Sequence, residues 1–132
     1  MTSRQRAQAL VEFALTLPVL LLLILGVVDA GRGVVAATSL SNGAREGARY
    51  GAIHWRDSLT DPNAWQANVE TLIRNETLGL DSSHIVFNTV SVDQAAGVVR
   101  VQLSYSFQAA APLVNSIMGS VTLAANASMA TQ

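Results

Sequence analysis

The chain has 132 residues, room for one domain, with half of them hydrophobic, only 13% charged and a formal net charge of −1. Its basic residues are all Arg and lie scattered along the chain, which excludes the electrostatic footprint of a nucleic-acid-binding protein. With no cysteine there is no disulfide, thiolate metal site or thiol nucleophile, so the compartment must be read from the N-terminus.

That N-terminus opens with Arg4 and Arg6, and from Phe13 to Val28 carries no charge. As a helix this run reaches about 24 Å, short of a hydrocarbon core of about 30 Å. Adding Ala7 to Val11 closes the gap and brings one carboxylate, Glu12, into the apolar stretch. An acidic residue costs about 2.5–3.5 kcal/mol at mid-bilayer and less near the interface. Arginines before the stretch and Asp29 after it predict a single-pass membrane protein with a cytoplasmic N-terminus and the bulk outside. Pro18 reads either as a kink or local loosening or as a proline that a membrane helix tolerates. A secretory signal peptide is the competing reading, with Val28-Asp29-Ala30 as its small-x-small cleavage site. Glu12 inside the apolar stretch and a following segment that still reads as helix count against it.

The helix is expected to continue to about Ile53, through a proline-free run rich in alanine. Gly43, Gly47 and Gly51 recur every four residues, as do Ala44, Ala48 and Ala52. Each helical glycine costs about 1 kcal/mol relative to alanine, so the stripe predicts a helix-packing surface. Its partner is expected to be the chain's own sheet, with a helix of another subunit as the alternative.

A break at His54–Asn63 precedes a second helix, with Asp61 as N-cap and Pro62 at the first helical position. Trp65, Val69, Leu72 and Ile73 share one face, Glu70 and Arg74 stand at ion-pair spacing, and Gly79 is placed to close the C-terminus. The period then changes to two. Val99, Val101, Leu103, Tyr105 and Phe107 alternate with polar residues, the pattern of a strand with one dry face. Residues 85–92 are its expected hairpin partner across the turn 93–97. After a short insert around Pro112–Met118, a last strand presents Val121, Leu123, Ala125, Ala127 and Met129 on one side. The expected fold is α+β: a leader at 1–7, a transmembrane and stem helix at 8–53, and a head at 54–132 with a helix packed on a three-stranded antiparallel sheet.

Motifs for chemistry are missing from the sequence. His54 and His84 stand apart from any carboxylate or second histidine at ligand spacing, and Asp57, Ser58, Thr60 and Asp61 read as turn and cap residues. There is no GxSxG, P-loop or GxGxxG pattern. The expectation is a chain that catalyses nothing and needs no metal or cofactor.

Two segments carry a resemblance: AQALVEFALTLPVLLLLILGVVDAGR at 7–32 and NGAREGARYGA at 42–52. They resemble the TadE-like proteins of tight-adherence (Tad, Flp-type) pilus systems in motif order and spacing. The resemblance implies a minor pilin or pseudopilin, cut by a prepilin peptidase just ahead of the hydrophobic helix, with glutamate at the fifth mature position. Counting back from Glu12 puts that cut between Ala7 and Gln8, where Ala7 replaces the family's usual glycine. Glu12 and Phe13 then hold the paired Glu-aromatic positions used in assembly. The partners so implied are other pilin subunits, the prepilin peptidase, the inner-membrane pilus assembly platform and membrane lipid, with no nucleic acid. The other reading open to the sequence is an anchored or exported binding module with an α+β head.

Overall fold

The computed structural model describes residues 3–110, 115–116 and 119–132. In chain order these form α1 (Ser3–Ile53), α2 (Asp57–Thr60), α3 (Pro62–Glu76), β1 (Ile85–Asp93), β2 (Val98–Phe107) and β3 (Val121–Ala130), an α+β arrangement. The insert expected around Pro112–Met118 lies mostly outside the described residues. At 51 residues, α1 is about 76 Å long. It runs through Pro18 without ending, so the proline does not melt the helix there.

Two stripes on the second half of α1 organise the head. Ala36, Leu40, Ala44, Ala48 and Ala52, each four residues apart, are buried. Beside them Gly43, Gly47 and Gly51 face α3, whose own buried residues Trp65, Val69 and Ile73 are also four apart. A Cβ built on Gly47 would lie 2.5 Å from Ile73 Cδ1, and one on Gly51 would lie 2.9 Å from Trp65 Cζ2. Bare backbone on α1 is therefore what lets α3 lie against it.

Asp61 caps α3 by accepting from the Ala64 N–H at 3.0 Å, with Pro62 at the first helical position, where its missing N–H costs nothing. The helix ends at Glu76, and buried Thr77 donates its hydroxyl to the Ile73 carbonyl at 2.9 Å. Gly79, at φ +81, then makes the turn that other residues resist. The Glu70–Arg74 ion pair expected from spacing does not form. Arg74 instead stretches over the Phe87 ring, 4.7 Å away, and donates to the Ser82 carbonyl, while Glu70 accepts from Gln66.

The strands pair antiparallel in the order β1-β2-β3. Val99, Val101, Leu103 and Tyr105 face the helices, and Ala125 joins them from β3. In β1 the parity changes: Ile85 and Phe87 face inward, then Val90 and Val92 do. A bulge resolves this, since Phe87 pairs with Leu103 and Thr89 with Gln102, leaving Asn88 as the extra residue. The hairpin turn is held by Asp93, which accepts from the Ala96 N–H at 3.0 Å, and by Gly97 at φ +62. Fully burying Leu40, Val69, Ile73, Val99, Val101 and Leu103 contributes about 1.5–3 kcal/mol each before the entropy of ordering them.

Contacts fix the direction of each element. Gly51 meets Val99 at the start of β2 and Gly33 meets Phe107 at its end, so β2 runs antiparallel to α1 and β3 parallel to it. The head thus has two ends. The β1–β2 turn and the C-terminal Gln132, whose carbonyl accepts from Trp55 Nε1 at 3.0 Å, lie at the far end. Ala109 and Gly119, near the end of β2 and the start of β3, lie beside residues 26–33 of α1.

Candidate membrane and assembly face of the first helix

Before the head begins, α1 carries its large apolar residues on every side, and they are exposed: Leu10, Phe13, Leu15, Val19, Leu23 and Val27 all have more than half their surface open. None of the most apolar 18-residue window is buried within the protein. A helix apolar all round has no water-facing side, so it needs lipid or other helices around it. It is the single helix among the described residues long and apolar enough to cross a membrane.

Glu12 sits on this surface, exposed, in the third turn of α1, with Phe13 beside it at 62% exposure. The Thr16 hydroxyl donates to the Glu12 backbone carbonyl at 2.8 Å. Among the described residues no basic group forms an ion pair with the Glu12 carboxylate, Arg4 and Arg6 included. Ala7 and Gln8 are exposed and helical, about one turn before Glu12. Gly43, Gly47 and Gly51 lie elsewhere: they are turned toward α3 and β2 within the same chain.

Asp29 has a role that its position in the sequence did not disclose. It reads as the acidic residue that ends the apolar stretch, yet it is only 5% exposed. Its Oδ1 accepts from the Ala110 N–H at 3.1 Å and from Arg32 Nη1 at 2.8 Å. The Arg32 guanidinium stands 5.6 Å from the centre of the Phe107 ring. Arg32, one helical turn on, is a local signal. Ala110 is far away in sequence and presents only a backbone amide, so no side-chain pattern could point to it.

The residues weighed for chemistry are spent on structure. His54 stacks on Tyr50 at 4.2 Å at the end of α1, and His84 lies edge-on to Tyr105. Ser58 donates to the Trp55 carbonyl, and Asp61 is the α3 cap. Trp65 is a core residue, whereas Trp55 is half-buried, with Arg56 against its ring.

Residues 7–49 match the family model described as TadE-like protein. That segment covers the exposed apolar stretch, Glu12, Asp29 and the first two glycines of the stripe. No curated protein and no solved structure is significantly similar to the chain.

Proposed function

We propose that this chain, a Tad-pilus-associated, pilin-like protein by its TadE-like segment, is a minor pilin or pseudopilin that assembles through α1. It inserts as a single-pass precursor with Arg4 and Arg6 on the cytoplasmic side, following the bias of cationic residues toward that side. Prepilin peptidase then cuts between Ala7 and Gln8, and the inner-membrane assembly platform draws the trimmed subunit toward its neighbours.

The observation that carries this reading is Glu12. It is the sole charged residue between positions 7 and 28 and has no cationic partner among the described residues. A carboxylate among apolar helices is unfavourable unless a cation compensates it. Cleavage at Ala7–Gln8 creates such a cation, the α-amino group of Gln8, and a neighbouring subunit offers it to Glu12. Processing and assembly are thereby coupled. The role is structural, with no reaction catalysed by this chain.

Cleavage as a signal peptide fits the fold less well. A cut after Ala30 would remove Asp29, which holds Ala110, and would open α1 in the middle of an unbroken helix.

Two measurements test the proposal. N-terminal analysis of the protein from bacterial envelopes should find Gln8 first; a chain beginning at Gly31 means secretion and one beginning at Met1 an unprocessed anchor. Glu12→Ala should leave membrane insertion intact while lowering incorporation into filaments, and unchanged incorporation would sink the assembly role.

A further inference from the structure

The end of the head nearest the apolar stretch differs from the rest of its surface. Residues 101–132 contain no Asp, Glu, Lys, Arg or His, so the second half of β2 and all of β3, which pair with each other, carry no charged side chain. At the base of the head is a hollow of about 240 Å³ whose wall includes Gly26, Ala30, Phe107, Val121 and Leu123, together with Asp29, whose Oδ1 is bonded to Ala110 and Arg32.

The height of this base follows from α1. The apolar stretch from Ala7 to Val28 is about 33 Å long and so fills a hydrocarbon core of about 30 Å with little to spare. Asp29 therefore sits at its outer end. Ala110 is bonded to Asp29, and the hollow reaches Gly26, nearly one turn inside the stretch. No stalk separates the head from the span, so wherever the span ends in lipid, the base of the head is among the headgroups. Apart from Asp29, which is paired with Arg32, the wall is apolar, and such a surface is suited to that layer. Arg32, half-exposed one turn above, has the reach and charge for a lipid phosphate.

We propose that the base of the head is seated in the outer leaflet, with Ala109, Gly119 and Ser120 among the headgroups and a phospholipid acyl chain in the hollow between α1 and the end of the sheet where Phe107 pairs with Val121. Continuity with the membrane-spanning surface of α1 selects lipid as the occupant: the hollow opens beside Gly26, on the helix that lipid already surrounds. Seating holds the head upright and limits its rotation about the span before assembly. This inference rests on residues 7–28 crossing the membrane.

The native chain has no cysteine, so single sites can be labelled without background. The experiment uses the full chain in phosphatidylcholine vesicles, with an environment-sensitive fluorophore on Leu20→Cys (mid-span), Ser120→Cys (base) or Ala95→Cys (far end). Each variant is first matched to the unsubstituted chain by circular dichroism. Lipid spin-labelled near the headgroup should quench the label at position 120 several-fold more than the one at 95, and aqueous iodide should do the reverse. If the label at 120 behaves like that at 95 while mid-span label is shielded from iodide and quenched by deep spin-labelled lipid, the seating is wrong and the span stands. If 120 is shielded from both quenchers, protein covers the base and the lipid assignment is overturned. If the mid-span label is open to iodide, the span itself fails and the seating with it.

Discussion

Gly47→Ala is the most informative single substitution, because two opposing terms meet there. In an open helix, alanine is favoured over glycine by about 1 kcal/mol. Here the new methyl would arrive 2.5 Å from both Cδ1 and Cγ1 of Ile73, and 3.5 Å from Val69 Cγ1. Ile73 is fully buried between α1 and the rest of the core, so it has nowhere to withdraw. Overpacking of this kind costs about 1–3 kcal/mol, so the clash exceeds the propensity gain and the head should lose about 1 kcal/mol. Urea unfolding of the full chain in detergent micelles, followed by tryptophan fluorescence, reads the difference. Gly31→Ala is the control, since nothing lies within 4 Å of its Cβ, and it should be neutral or stabilising. The decisive comparison is made in an Ile73→Ala background. There the clash is gone and a cavity waits, so Gly47→Ala should become stabilising. If Gly47→Ala stabilises equally in both backgrounds, α3 does not lie against the glycine stripe and the packing argument is refuted.

Asp29→Ala leaves the Ala110 N–H without its acceptor and should cost about 1–3 kcal/mol locally, seen as faster hydrogen exchange of that amide. Asp29→Asn keeps an acceptor oxygen and should lose less; equal exchange in all three proteins would remove Asp29 from the role. Acid should weaken the head slightly. A hydrogen bond from Arg49 holds the Glu46 carboxyl below its usual range, and bonds from Ser83 do the same for Asp81. A carboxyl lowered in the folded state contributes stability above its unfolded value, and that contribution is lost as pH falls through the folded one. Both groups are exposed, so the loss should be small, confined to the acid side, and partly flattened by Glu46→Gln in acid-titration unfolding curves. Deleting Asn88 removes the bulge and brings Ile85, Phe87, Val90 and Val92 into strict alternation, all four still facing the helices. A thermal melt should therefore show a far smaller loss for that deletion than for deletion of Ser91, which makes Val90 and Val92 neighbours and turns one of them to water.

Much of the fold was legible because it rests on local periodicity. The end of α1 at Ile53, the Asp61-Pro62 start of α3 and the dry face of β2 each depend on residues within a turn or two of one another. Tertiary geometry hid the rest. Glu70 and Arg74 have ion-pair spacing, but Phe87 and the Ser82 carbonyl compete for the arginine and cannot be placed without the fold. The bulge at Asn88 is recoverable in hindsight, since apolar residues at 85, 87, 90 and 92 break strict alternation by one position. On the exposed apolar stretch of α1, Glu12 was readable as a charge out of place. Asp29 was readable as a charge but not as a contact, since its partner is a backbone amide.

The first helix shows why a helix end and a change of environment are separate boundaries. From Leu10 to Val28 its side chains are large, apolar and exposed on all sides, which suits a surrounding that is apolar in every direction. From Ala36 to Ala52 it buries small residues at every fourth position, while Arg45 and Arg49 remain on the open side. That pattern suits a solvent that differs from one face to the other. No break in hydrogen bonding marks the change, which falls near Asp29, where the first bond to the head is made. The core of the head is thus built partly on the same rigid helix that carries the exposed apolar surface. A force applied along that helix reaches the sheet through Asp29, the buried alanine stripe and the glycine contacts to α3, with no flexible linker to absorb it. An assembling subunit that must be moved by its stem needs this continuity, and a two-glycine insertion between Val28 and Asp29 would remove it while leaving the packed head unchanged.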